Sequence, residues 1–187
     1  MNIIISGMSC SGKTTLSNQI KNSLHFEQDW YFKNKKDIPF TRKGYLLDSP
    51  NAFHLSEFKH DIEILLSEVI VYVPNYDIKT NTRISKDKKV TKKNINIFEG
   101  LHTISELKHL RNSIKIFIDT PLEECLKRRL QRDLQYGISE QEIIRYFNEV
   151  MIPMYKCYIE PQKKYSDLII KGDEDIKCLL KKYQIHY

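Results

Sequence analysis

No apolar run in this chain of 187 residues approaches the roughly 20 residues that cross a bilayer, so no membrane partner is expected. Cysteine is scarce and scattered. Cys10, Cys125, Cys157 and Cys178 form neither a CxxC pair nor a metal-ligand spacing, which argues against a disulfide framework or a zinc site and predicts free thiols. With only six glycines and six prolines the chain holds no linker, repeat or low-complexity tract. Its 41% hydrophobic and 29% charged residues are those of an ordinary globular protein. The length predicts one domain over 1–187. Met1 lies within a few residues of a glycine loop, leaving no room for a signal segment, so the expected compartment is the cytoplasm.

Acidic residues fall short of basic ones, 24 against 30, for a net charge of +6. The excess is dispersed in short groups such as "KDKKVTKK" (86–93), which read as solvated faces. A nucleic-acid-dependent ATPase would need a basic face interleaved with aromatics, or helicase-type motifs, and neither is found. No nucleic-acid partner is expected.

What the chain does have is a series of short runs rich in Ile or Val: "NIIIS" (2–6), "EVIVYV" (68–73), "NINIFEG" (94–100), "IKIFIDT" (114–120) and "SDLIIKG" (166–172). Buried parallel strands read this way. Helical spacing lies between several of them, as in 121–134, where Leu122, Leu126, Leu130 and Leu134 suggest one stripe. The alternation predicts an α/β domain with a mainly parallel sheet of about five strands flanked by helices. Residues 71–93 suggest a projecting β-hairpin, and 33–50 an ordered loop lying over something.

The first run leads into "GMSCSGKTT". Gly7, Gly12, Lys13 and Thr14 satisfy GxxxxGK[ST] between a strand and a helix, the context in which that pattern forms a phosphate-binding loop. Backbone N–H groups across Gly7, Ser9, Ser11, Gly12 and Thr15 would cradle the phosphates of ATP or GTP. Lys13 would reach the β and γ phosphates, and the Thr14 hydroxyl would hold Mg²⁺.

Other motifs narrow the class. "NKKD" (34–37) imitates a guanine-reading pattern, but it precedes the strands that should carry it, and no DxxG occurs, so a GTPase is not indicated. A kinase needs a base for the acceptor, a cation site and cationic cover for the γ-phosphate. Asp29, where a second strand should end, is placed to take a proton from a hydroxyl. Glu99 closes a strand at the cation side. Arg128 and Arg132, four apart, share a helix face, with Arg129 off it and structural.

Taken in order, the phosphate loop, "QDWYFK", "LLDSPNAFH", "VPNYDIKTNTR", "IFEG", "IDTPLEECLKRRLQRD" and "IEPQKKYSDLII" resemble the uridine kinase family of P-loop kinases over most of the chain. The resemblance implies ATP-dependent phosphorylation of the 5′-hydroxyl of a pyrimidine ribonucleoside. "KGYLLDSPNAF" and "EECLKRR" also look like nicotinamide riboside kinases, and a kinase of another small alcohol is a further alternative. It implies Asp29 as general base, Asp48 as the reader of the ribose 2′ and 3′ hydroxyls, Tyr76 against the base, Glu99 on the cation side, and Arg128 and Arg132 at substrate and lid. Asn81 stands where the family has a base-reading histidine and Phe32 where it has a tyrosine. The lid "LQYGIS" is short and lacks arginine. The expected partners are small molecules, a nucleoside and a nucleoside triphosphate, with homo-oligomerisation left open.

Overall fold

A computed structural model describes residues 1–77 and 80–172. Five strands form a wholly parallel sheet in the order β2 (Ser23–Glu27), β7 (Ile95–Gly100), β1 (Asn2–Gly7), β8 (Ser113–Ile118), β9 (Leu168–Ile170). Strands β1 and β7 are covered on both faces, which is why they read as continuous apolar runs.

Successive residues of β1 serve opposite faces, as the period of two requires. Ile3 and Ile5 pack with Ile97, Ile116, Ile118 and Ile170 against Leu16 and Ile20, the latter two from α1 (Lys13–Gln19) and its C-terminal edge. Ile4 points to the larger core of Phe26, Phe98 and Phe117, reached by Phe58 of α2 (Leu55–Glu68). Each fully buried phenylalanine contributes about 2–3 kcal/mol of transfer free energy.

The run at 68–73 belongs elsewhere. It starts β5 (Ile70–Asp77), which pairs antiparallel with β6 (Thr82–Thr91) in a separate two-stranded ribbon, while Ser23–Glu27 supplies the fifth strand of the main sheet. Covered on one face only, β5 alternates: Val71 and Val73 are buried, Ile70 and Tyr72 exposed. Hence the hairpin expected at 71–93 is present, but its first strand is not a member of the parallel set.

Ion pairs dock this hairpin on α2. Both Glu57 carboxylate oxygens accept from Arg83 at 2.6 and 2.7 Å. The fully buried Asp61 accepts from Lys86 at 2.6 Å and from the Tyr31 hydroxyl at 2.8 Å. Lys88 lies 3.4 Å above the Trp30 ring centroid, a cation–π contact.

The loop expected over 33–50 contains the short antiparallel pair β3 (Phe40–Thr41) and β4 (Gly44–Tyr45). It lies over α5 (Glu140–Tyr146), whose Tyr146 hydroxyl donates to the Tyr45 carbonyl at 2.6 Å. The imitation motif "NKKD" is a single 3₁₀ turn there, Lys35–Asp37. In α4 (Leu122–Asp133), Leu122 and Leu126 pack on the core but Leu134 is 47% exposed. A spacing of four drifts about 40° per step on a helix of 3.6 residues per turn, so the stripe rotates off the core, and Cys125 and Asp133 are the buried positions. Cys10, Cys125 and Cys157 are free thiols; Cys178 lies outside the described residues. Among the described residues no helix is long and apolar enough to cross a membrane.

Candidate active site

The phosphate loop leaves the carboxyl end of β1, the central strand, which is where parallel sheets place ligands. A Cβ at Gly7 would lie 2.7 Å from both the Ile118 carbonyl and Ser11 Oγ, and Gly12, at φ 106°, caps α1 in a conformation that favours glycine. Inside the turn the Ser11 hydroxyl is buried without a partner, and Lys13 Nζ donates to the Gly7 and Met8 carbonyls at 3.1 and 2.9 Å. That ammonium therefore spans the mouth of the loop. Ser9 and Cys10 stand half-buried at its tip, and Thr15 is exposed at the start of the helix.

Glu99 ends β7 beside the loop. Its carboxylate accepts from Thr14 Oγ1 at 3.0 Å and from Ser17 Oγ at 2.5 Å. A hydroxyl and a carboxylate are hard oxygen donors of the kind Mg²⁺ takes alongside phosphate oxygens and water, so Thr14 and Glu99 fit that ion. Neither a cysteine nor a histidine joins them, and among the described residues no group of three His, Cys, Asp or Glu side chains is suited to hold a metal alone.

Asp29 lies in the 3₁₀ turn Gln28–Tyr31 directly after β2. Its side chain is open to the cleft while the walls crowd it. Loss of hydration there pushes its carboxyl above the ordinary value, Lys13 draws it back, and Glu99 and Asp48 add to the rise. Asp48 is buried, its Oδ2 has no hydrogen-bond partner, and burial raises its carboxyl too, with Arg129, Lys13 and Arg132 opposing. Asp48 does not cap the turn that follows; Ser49 does, accepting from the Asn51 N–H at 3.2 Å.

Aromatic rings stand next to these acids. Phe32 packs on Phe53 at 4.1 Å and on Tyr76 at 5.4 Å between centroids. Asn81, at φ 54°, accepts from the Lys35 N–H through its carbonyl and faces a cavity of about 530 Å³ between the 33–50 loop and α4–α5. Leu47, the residue before Asp48, lines that cavity with Arg129, Ile138 and Tyr146.

The arginines divide differently from their spacing. Arg128 reaches Glu124 at 2.9 Å and the Ser11 and Cys10 carbonyls at 3.3 and 3.5 Å, so it braces the outside of the phosphate loop and does not line the cavity. Arg132, half exposed, bonds Asp133 at 2.7 Å. Arg129, expected to be structural, bonds Asp133 at 2.9 Å and packs on the Tyr146 ring, and its charge opposes the rise at Asp48. The segment expected as a lid after α4 is a 3₁₀ turn, Leu134–Tyr136, closed by Gly137 in the left-handed region; Ser139 then caps α5.

A phosphate loop, an acid beside its threonine and a second acid at the next strand end are shared by many P-loop kinases, and comparison with known proteins narrows the assignment. The chain is 40% identical over 177 residues to the uridine kinase of Mycoplasma genitalium, covering 90% of this chain and 83% of that one. It is 35% identical over 184 residues to the uridine kinase of Ligilactobacillus salivarius, covering 91% and 85%. The fold matches phosphoribulokinase from Rhodobacter spheroides with a TM-score of 0.58 at 17% identity, over 91% of this chain and 70% of that one. Residues 2–177 match the family model for phosphoribulokinase and uridine kinase. With sequence and fold agreeing over nearly the whole described length, the chain belongs to the phosphoribulokinase / uridine kinase family.

Proposed function

We propose that this single-domain protein transfers the γ-phosphate of ATP to the 5′-hydroxyl of a pyrimidine ribonucleoside, uridine or cytidine, as a cytoplasmic enzyme. The observation that carries the acceptor is Asp48: a buried carboxylate oxygen without a donor, beside an aromatic cluster and a cavity, calls for hydroxyl groups brought by a ligand.

Asp29 takes the proton of the 5′-hydroxyl as its oxygen bonds to the γ-phosphorus and the bond from phosphorus to the β-phosphate oxygen breaks. Its carboxylate is the working form, and Lys13 helps to keep it ionised. Lys13 and the loop N–H groups meet the negative charge that moves toward the β-phosphate. Thr14 and Glu99 would hold Mg²⁺, which would neutralise charge on the phosphate oxygens. Arg132 and Arg129 cover the acceptor side from α4, and Arg128 supports the loop from behind. Phe32 and Tyr76 flank the base, with Asn81 at its edge.

The uridine kinases among its relatives favour the reading of a pyrimidine nucleoside over nicotinamide riboside as the acceptor. A coupled assay with uridine, cytidine and nicotinamide riboside, each with ATP or GTP, tests both acceptor and donor. Faster turnover of nicotinamide riboside than of either pyrimidine nucleoside would overturn the assignment, and Lys13→Ala, expected to lose at least about 10²-fold in rate, controls for a contaminating kinase.

A further inference from the structure

His102 follows β7 by two residues and is 1% exposed. Its ring Nε2 lies 3.0 Å from the backbone carbonyl of Asp48, 54 residues away. A carbonyl only accepts, so Nε2 carries the hydrogen and donates it. The ring stands edge-on to Phe53 at 5.7 Å, and burial pushes it down to about 4, leaving it neutral at physiological pH. The His102 main-chain N–H donates to Gln28 Oε1 at 2.8 Å, and Gln28 is fully buried and adjacent to Asp29.

His102 thus links three parts of the site: the turn carrying Asp29, the strand end carrying Glu99 and the loop carrying Asp48. Ser49 N–H donates to the Leu46 carbonyl and Leu46 N–H to the Pro39 carbonyl, both inside the 33–50 loop, and the loop's far end is tied to the turn after β2 by Lys33 N–H to the Ala52 carbonyl and His54 N–H to the Tyr31 carbonyl. At Asp48 itself, among the described residues, the His102 imidazole is the side chain that donates to the backbone carbonyl. An unpartnered buried carboxylate gains by swinging toward solvent, so the backbone beneath it must be pinned if its oxygens are to keep one position.

We propose that His102 is a positioning residue for ribose recognition: by donating to the Asp48 carbonyl it holds the Asp48 carboxylate where two adjacent hydroxyls can reach it. The proposal rests on the reading of Asp48 as the ribose-binding acid. A histidine serving only to fill the core would affect every substrate alike; a positioning histidine affects the substrate that has the 2′-hydroxyl.

The experiment compares kcat/KM for uridine and 2′-deoxyuridine in the unmodified protein and in His102→Gln, His102→Asn and His102→Leu, with KM for ATP measured in each. A glutamine amide can reach the position of Nε2, whereas asparagine has the same donor but falls short. Expected is a ribo-to-deoxyribo preference that drops about 5- to 10-fold in His102→Asn and His102→Leu, chiefly through KM for uridine, and that His102→Gln largely restores, with KM for ATP unmoved. Should His102→Leu fail to fold, the Gln and Asn pair carries the same comparison. Equal losses for the two nucleosides, or a preference unchanged in His102→Asn, would overturn the role of His102 alone. Absence of any preference in the unmodified protein would instead remove the ribose-reading role of Asp48, and that of His102 with it.

Discussion

The Thr14 hydroxyl donates to a Glu99 oxygen at 3.0 Å, joining the first turn of α1 to the end of β7 across 85 positions of sequence. Ser17 supplies the other Glu99 oxygen with a donor at 2.5 Å. Glu99 is thereby held at the loop before any nucleotide arrives. Glu99→Gln keeps the shape and removes the charge, and the half-saturating Mg²⁺ concentration is expected to rise about 10- to 100-fold in a titration of turnover against the ion. An unchanged Mg²⁺ requirement would restrict Glu99 to bracing the loop.

As the proposed base, Asp29 is expected to set the acidic limb of the pH–rate profile. Only the carboxylate accepts a proton, and crowding by the cleft raises its folded-state value, so activity is present above that raised value and is lost as pH falls through it. The limb in kcat/KM for the nucleoside should therefore lie above the ordinary aspartate value of about 3.9. Asp29→Asn should lower kcat by about 10²-fold or more while ATP binding, followed by calorimetry, survives.

Asp48 should cost stability. Its carboxyl is raised by burial, so the folded state favours the protonated form and is penalised wherever the group is ionised. The penalty is complete above the folded-state value and absent below the unfolded value of about 3.9. Asp48→Asn is expected to raise Tm at neutral pH by about 2–4 °C, the equivalent of roughly 1 kcal/mol, with the gain vanishing toward acid. Melting curves at three pH values check this, and a lower Tm at pH 7 would contradict it.

Lys86→Met tests the docking of the hairpin that carries Tyr76 and Asn81. It leaves the fully buried Asp61 with the Tyr31 hydroxyl and without its nearest cation. Asp61 is buried but the Lys86 ammonium is 39% exposed, so solvent screens the pair and its loss is expected to cost about 1 kcal/mol, a fall in Tm of roughly 2–4 °C. KM for the nucleoside should rise, because both base-side residues ride on this ribbon, whereas KM for ATP should stay. A Tm within about 1 °C of the unmodified protein would show the pair to be dispensable.

Much of this molecule is written locally in its sequence. The run 2–6 followed by GxxxxGK[ST] specifies a buried strand, a tight turn and a helix start within a dozen residues, and the phosphate loop forms there. The positions of Asp29 and Glu99 at the carboxyl edge of the sheet were legible, Asp29 just after β2 and Glu99 at the end of β7, because parallel strands deliver their carboxyl ends to one edge. The run at 68–73 was not, since Val and Ile look alike in a doubly covered strand and in a ribbon; only the alternation through Tyr72 carried a hint. Periodicity and turn chemistry act over a few residues, and the backbone answers to them directly. That Arg83 pairs with Glu57, and that the His102 ring meets the Asp48 carbonyl, depend on how hairpin, helix, loop and sheet come together over 26 to 54 positions of chain. Those pairings arise when packing and hydrogen-bond satisfaction are met for the whole domain at once, so tertiary structure alone decided them.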